Sequence, residues 1–99
     1  MAKHYRVRIT LRALSDLEAI LDYIAQESPL NAARMIERLL DAIDGLEFMP
    51  YRFKVLAGAE EGGIRSIPVR PYLIRFRVEE RTGIVRILHI RHGARRPEA

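Results

Sequence analysis

From Pro71 to Pro97 the chain reads PYLIRFRVEERTGIVRILHIRHGARRP. Tyr72, Ile74, Phe76 and Val78 alternate with Leu73, Arg75 and Arg77. Successive side chains on a strand point to opposite faces, so this period of two predicts one apolar and one mostly basic face. Glu80-Arg81-Thr82-Gly83 supplies a polar turn, with Gly83 available for a positive φ. The second half, Ile84 to Arg91, is denser, with Ile84, Val85, Ile87, Leu88 and Ile90. Apolar residues on both faces predict a central strand. Burying one such side chain is worth roughly 1.5–3 kcal/mol, so this hairpin is the expected heart of a sheet.

The same patterns extend through the chain. His4 to Thr10 alternates Tyr5, Val7 and Ile9 with Arg6, Arg8 and Thr10, a strand with one apolar and one basic face. Thr10 offers an N-cap to a helix over Leu11–Gln26, whose stripe is Leu14, Leu17, Leu21 and Ile24, with Ala13 and Ile20 beside it. Ser28-Pro29 opens a second helix, because serine caps well and proline at the first helical position loses no needed N–H. Its stripe is Ala32, Ala33, Ile36, Leu39, Leu40, Ile43 and Leu46, and Pro50 ends the segment. Tyr51 to Gly63 reads as an exposed loop. Ile64 to Val69 reads as a short strand, pushed toward a sheet edge by Pro68. The predicted class is α+β, in the order β-α-α-β-β-β. A helical hairpin should bury its stripe on one face of a small antiparallel sheet, within one domain spanning residues 1–99.

Charge sharpens this picture. The net charge of +4 over 99 residues is the balance of segregated parts. Residues 1–10 carry +3, the helical residues 11–49 carry −5, residues 50–63 balance, and residues 64–99 carry +6. A basic sheet suggests an anionic partner, nucleic acid or an acidic protein segment. The chain has no cysteine, hence no disulfide framework and no thiolate zinc site. No apolar run approaches the roughly 20 residues of a membrane span, and the amino terminus has no apolar signal core, so the expectation is a cytoplasmic protein without a membrane partner. His89 and His92 are too poorly spaced on a strand to share a metal, and no serine sits on a strand-to-helix elbow. No glycine-rich loop opens a helix, and no cofactor is expected. The remaining candidates, which could hold phosphate or another anionic partner, are Arg65, Arg75, Arg77, Arg91, His92, Arg95 and Arg96.

The segments ITLRALSDLEAILDYIAQESP, LEFMPYR and GIVRILHIRHGARRP, in this order and spacing, resemble the ParE branch of the RelE/ParE toxin superfamily. The resemblance runs from Tyr5 to Pro97. It implies a plasmid-stabilisation type II toxin, neutralised in a hetero-oligomer by a ParD-like antitoxin whose tail wraps it, with DNA gyrase as target. The RelE branch, which cleaves mRNA on the ribosome, is the alternative. Its members place a lysine-rich patch on the second strand, an arginine after the aromatic that opens the third strand, and a tyrosine in the C-terminal tail. Here Arg65 is the only basic residue near the first position, Leu73 follows Tyr72, and no tyrosine follows Ile90. No catalytic residue is therefore carried over, although His92 keeps a histidine-using ribonuclease open. A third reading is a non-toxic structural partner domain. Direct nucleic-acid contact is left open. The charge segregation favours an antitoxin tail with a helix on the toxin helices, then an acidic stretch over the arginines.

Overall fold

The computed structural model describes residues 4–53, 55–57 and 63–93. Strand β1 (Arg6–Ile9) leads into helices α1 (Leu11–Ala25) and α2 (Pro29–Asp44). Two 3-10 turns, Gly45–Glu47 and Pro50–Arg52, then precede β2 (Val55–Ala57), β3 (Ile64–Val69), β4 (Tyr72–Glu79) and β5 (Ile84–His92). The sheet order is β1-β5-β4-β3-β2. The expected order of elements holds, with the short β2 added inside the stretch read as loop. The expected all-antiparallel pairing fails at one place, since β1 runs parallel to β5. The sheet is therefore mixed, and β5 is internal, as its apolar density predicts.

Capping follows the sequence closely. The Thr10 hydroxyl accepts from Ala13 N at 3.1 Å, and Ser28 Oγ accepts from Asn31 N at 3.1 Å with Pro29 at the first helical position. Gly83 takes φ 69° and closes the β4–β5 turn, with its N–H donating to Glu79 O at 2.9 Å. Ahead of Pro50, Met49 takes up the left-handed region, at φ 51° and ψ 51°.

The rotation of α1 corrects the expected stripe. Its buried residues are Ala13, Leu17 and Ile20, with Ile24 packed beside them, while Leu14 and Leu21 are 46 % and 39 % exposed. Ala13, Leu17, Ile20 and Ile24 recur at four, three and four, as good a helical stripe as the expected one. What chooses between the two lies on β5. β1 ends opposite Ile87, and beyond it the edge of β5 is open. Leu88 is an extra residue there, because Arg75 pairs with His89 while Phe76 pairs with Ile87. Thr10 Oγ1 donates to Ile87 O at 2.7 Å and lies 3.2 Å from Leu88 O. Asp16 Oδ2 accepts from Ile90 N at 2.9 Å. The Asp16 flank of α1 must then face β5, which turns Leu14 and Leu21 to the other flank. On α2, Ala32, Leu39 and Ile43 are buried, as is Leu46 just beyond it, whereas Ala33 and Leu40 lie outward.

The core joins Ala13, Leu17 and Ile20 of α1, and Leu39, Ile43 and Leu46, to Tyr72, Ile74, Phe76 and Val78 of β4 and Val85, Ile87 and Ile90 of β5. The bulge explains the phase change from odd to even positions between Ile87 and Ile90. At one end, the 3-10 segment is fastened by side chains. Tyr5 and Tyr51 both donate to Glu80 Oε1, at 2.9 and 2.7 Å. Partial burial, and then this bond to Glu80, push the Tyr51 phenol up to about 12.

Two outcomes test this arrangement. Leu39→Ala or Phe76→Ala, both fully buried, should each cost about 2–5 kcal/mol in denaturant unfolding. Leu14→Ala and Leu21→Ala should cost less than about 1 kcal/mol; equal losses at all four sites would restore the other stripe. Raised above its unfolded value, the Tyr51 phenol stabilises the fold below the ordinary tyrosine range and loses that contribution as pH rises through about 12. Tyr51→Phe should remove one late tyrosinate step from an ultraviolet titration, and a wild-type Tyr51 ionising near 10 would show that the Glu80 bond is not held.

Candidate arginine face

One face of the sheet carries the helices and the other carries arginine. Directly paired residues share a face, so the register sorts every candidate. On β4, buried Tyr72, Ile74, Phe76 and Val78 point to the helices, and half-buried Leu73, Arg75, Arg77 and Glu79 point away. Arg8 of β1, Arg86 of β5 and Arg77 of β4 are successive partners and form one row across three strands. His89, Arg75 and Ser66 form the next row across β5, β4 and β3, and Arg91 with Leu73 begins a third. Neighbouring strands are about 4.8 Å apart and same-face residues along a strand about 7 Å apart, so these groups make one continuous cationic surface.

The electrostatics are nearly unrelieved. Arg86 Nε donates to Glu79 Oε2 at 2.6 Å, and that bond, followed by Thr82 and the nearby arginines, holds the Glu79 carboxyl below its ordinary range. The Nε atoms of Arg75 and Arg77 and the Ser66 hydroxyl are buried without a hydrogen-bond partner. His89 is held below the usual histidine range, first by burial and then by the charges of Arg12, Arg75 and Arg91, with Asp16 opposing. Such a face can hold anionic oxygens through forked, charge-assisted hydrogen bonds.

The seven sequence candidates do not stay together. Arg75, Arg77 and Arg91 share the face just described. Arg65 pairs with Phe76 and therefore lies on the helix side. There its Nη1 donates to Phe53 O at 2.6 Å, and its guanidinium stacks 4.8 Å from the Tyr51 ring centre. It holds the 3-10 segment in place. His92 pairs with buried Tyr72, its ring 5.5 Å from the tyrosine ring in a T-shaped contact, and is likewise on the helix side. Arg95 and Arg96 lie outside the described residues. Arg8, Arg86 and His89 were missed as members. The first two carried a legible signal, since each alternates outward between apolar neighbours; His89 did not, because the bulge reversed its phase. No group of three or more possible metal ligands occurs among the described residues, and none of their helices is long and apolar enough to cross a membrane.

The fold has known counterparts. The chain is 49 % identical over 86 residues to toxin RelE2 of Caulobacter vibrioides, covering 87 % of this chain and 92 % of that protein. The chromosomal ParDE toxin–antitoxin system of P. aeruginosa contains a chain that superposes with a TM-score of 0.71 at 24 % identity, over 90 % of this chain and 96 % of that one. A chain of the RelBE2 toxin–antitoxin complex of Mycobacterium tuberculosis does so with a TM-score of 0.66 at 25 % identity, over 90 % and 98 %. Residues 7–97 match the family described as ParE toxin of type II toxin–antitoxin system, parDE. With that match spanning nearly all of the chain, and the mixed sheet, helical hairpin and element order of its structural neighbours, the protein belongs to the ParE toxin family of type II toxin–antitoxin systems.

Proposed function

We propose that this toxin acts in the cytoplasm by inhibiting DNA gyrase and is silenced by a ParD-like antitoxin. The observation that supports inhibition over RNA cleavage is the division of candidates between two faces. His92, the one residue kept for a ribonuclease, lies across the sheet from Arg75, Arg77 and Arg91. Leu73, where RelE-type enzymes carry arginine, adds no cation to the arginine face. General acid–base cleavage needs the acid, the base and the phosphate-holding cations around one bond, and these residues do not converge.

The antitoxin has a suitable seat on the helices. At 100° per residue, Leu14 and Leu21 fall on the α1 flank opposite Asp16, and Leu40 with Ala33 falls on one flank of α2. In an antiparallel hairpin these two flanks face each other across an outward groove, with Glu18, Glu37 and Asp44 at its rim. An amphipathic antitoxin helix with apolar anchors at i, i+3 or i+4, and i+7 fits such a groove, and basic residues beside its anchors would meet the rim. The arginine face is then left toward the target.

Induced expression should arrest growth, with double-strand breaks, an SOS response and intact bulk mRNA, and co-expressed antitoxin should relieve it. His92→Ala should leave toxicity in place. Ribosome-dependent mRNA cuts that vanish in His92→Ala would replace this reading with the ribonuclease, and unimpeded growth on induction would replace it with a non-toxic partner domain.

A further inference from the structure

We propose that the arginine face binds the phosphodiester backbone of nucleic acid, independent of base sequence, with His89 joining its five arginines, Arg8, Arg75, Arg77, Arg86 and Arg91, as a sixth cation once phosphates are bound. The inference rests on the arginine face being the target side, whatever enzyme or particle presents the nucleic acid.

Three observations carry it. The first is the inventory of hydrogen-bonding groups. Seven of the ten outward side chains of the three rows are donors, the others being the apolar Ile64, Pro68 and Leu73, and the carboxylate nearest them, Glu79, is already engaged by Arg86. Arg75 Nε, Arg77 Nε and Ser66 Oγ have no partner. A phosphodiester strand brings acceptors and no backbone donors. An acidic peptide brings an N–H at nearly every residue, and those need acceptors. β4 is paired on both sides over most of its length, and β5 is paired with β4 throughout and with β1 from Ile84 to Ile87, where Thr10 and Asp16 of the helical side take over, so the strands offer few free backbone carbonyls to a peptide lying on this face. The surface therefore suits a phosphate backbone better than an acidic segment.

The second is spacing. Arg75 and Arg77 are two residues apart on β4, about 7 Å, and the Arg8–Arg86–Arg77 row crosses them at strand spacing. Guanidiniums in such an array can each take a phosphate oxygen pair. The third is what the face lacks. Its outward positions on β1, β3, β4 and β5 carry no phenylalanine or tyrosine, so bases find no stacking platform and no sequence preference follows.

His89 makes the surface sensitive to protons. It sits opposite Arg75 and two residues from Arg91 on its own strand, with Arg12 and Asp16 of α1 as the other charges acting on it. Burial and three arginines disfavour its protonated form when the face is empty. Bound phosphates offset those positive charges and favour the imidazolium, so binding takes up a proton. Affinity is then highest at acidic pH and declines as pH rises through the imidazole's range in the complex.

The test is fluorescence anisotropy of the full chain with labelled 20-nucleotide single strands, oligo-dT and mixed sequence. Contact with about four phosphates predicts a slope near −3 in log affinity against log salt, about a 50-fold loss between 50 and 200 mM. The two oligonucleotides should bind within about twofold of each other. Arg75→Gln/Arg77→Gln, and separately the more exposed Arg8→Gln/Arg86→Gln, should each reduce the slope by about 1–2 while circular dichroism stays native. Affinity should rise about tenfold from pH 8 to pH 5.5. His89→Asn should abolish that rise, whereas His92→Asn, on the other face, should preserve it. A slope near zero, or a glutamate 20-mer binding as tightly as the oligonucleotides, would overturn the nucleic-acid assignment. A pH dependence intact in His89→Asn would overturn the role of His89. Double-strand breaks in cells report separately on gyrase, so oligonucleotide binding without breaks would sink the gyrase reading and leave this one standing.

Discussion

The closure of β5 is the constraint on which the rest depends. A central strand cannot leave backbone donors and acceptors unpaired against a core, because each costs about 1–3 kcal/mol. β4 satisfies one edge along its whole length, but β1 is only four residues long and stops opposite Ile87. Thr10 and Asp16 take over from that point, bonding to Ile87 O and Ile90 N around the Leu88 bulge. These bonds fix where α1 starts and how it is turned about its axis. That rotation in turn decides which leucines enter the core and which form the outward groove between the helices.

The same closure separates the two proposed binding surfaces. With the helices held over one face, the inward positions of β4 and β5 become core, and most outward positions between Leu73 and Ile84 are left to charge. The acidic helical layer and the basic sheet thus lie on opposite sides of the molecule. A partner helix and an anionic target can be recognised independently, one by buried apolar anchors and the other by guanidinium arrays. At the sheet end, Arg65 lies apart from the arginine face. Its bonds to the carbonyl of Phe53 and its contact with Tyr51 close the route from α2 back into the sheet.

Much of this was readable from residues alone. The period of two in Tyr72–Val78 predicted both faces of β4. Ser28-Pro29, Thr10 and Gly83 each marked the boundary at which they act, because capping and positive φ are local requirements. The density of Ile84–Ile90 correctly marked an internal strand, although part of that density belongs to a bulge and not to burial on two faces. The motif order, read along the whole chain, matched the family that the comparisons assign.

The sequence by itself thus determined the elements, the sidedness of the hairpin and the segregation of charge, since each rests on neighbours within a few positions. Only the tertiary structure decided the parallel pairing of β1, the rotation of α1 and the membership of the arginine face. Two stripes on α1 were equally periodic, and a hydrogen bond from Ile90, 74 residues away, selected one. Arg65 and His92 were placed with the other cations by type and proximity along the chain, yet register puts them across the sheet. Arg8 and Arg86 meet because two distant strands pair, and His89 joins Arg75 because one extra residue shifts the phase. Strand register is a non-local quantity, so the composition of a surface built from several strands is decided only when the chain folds.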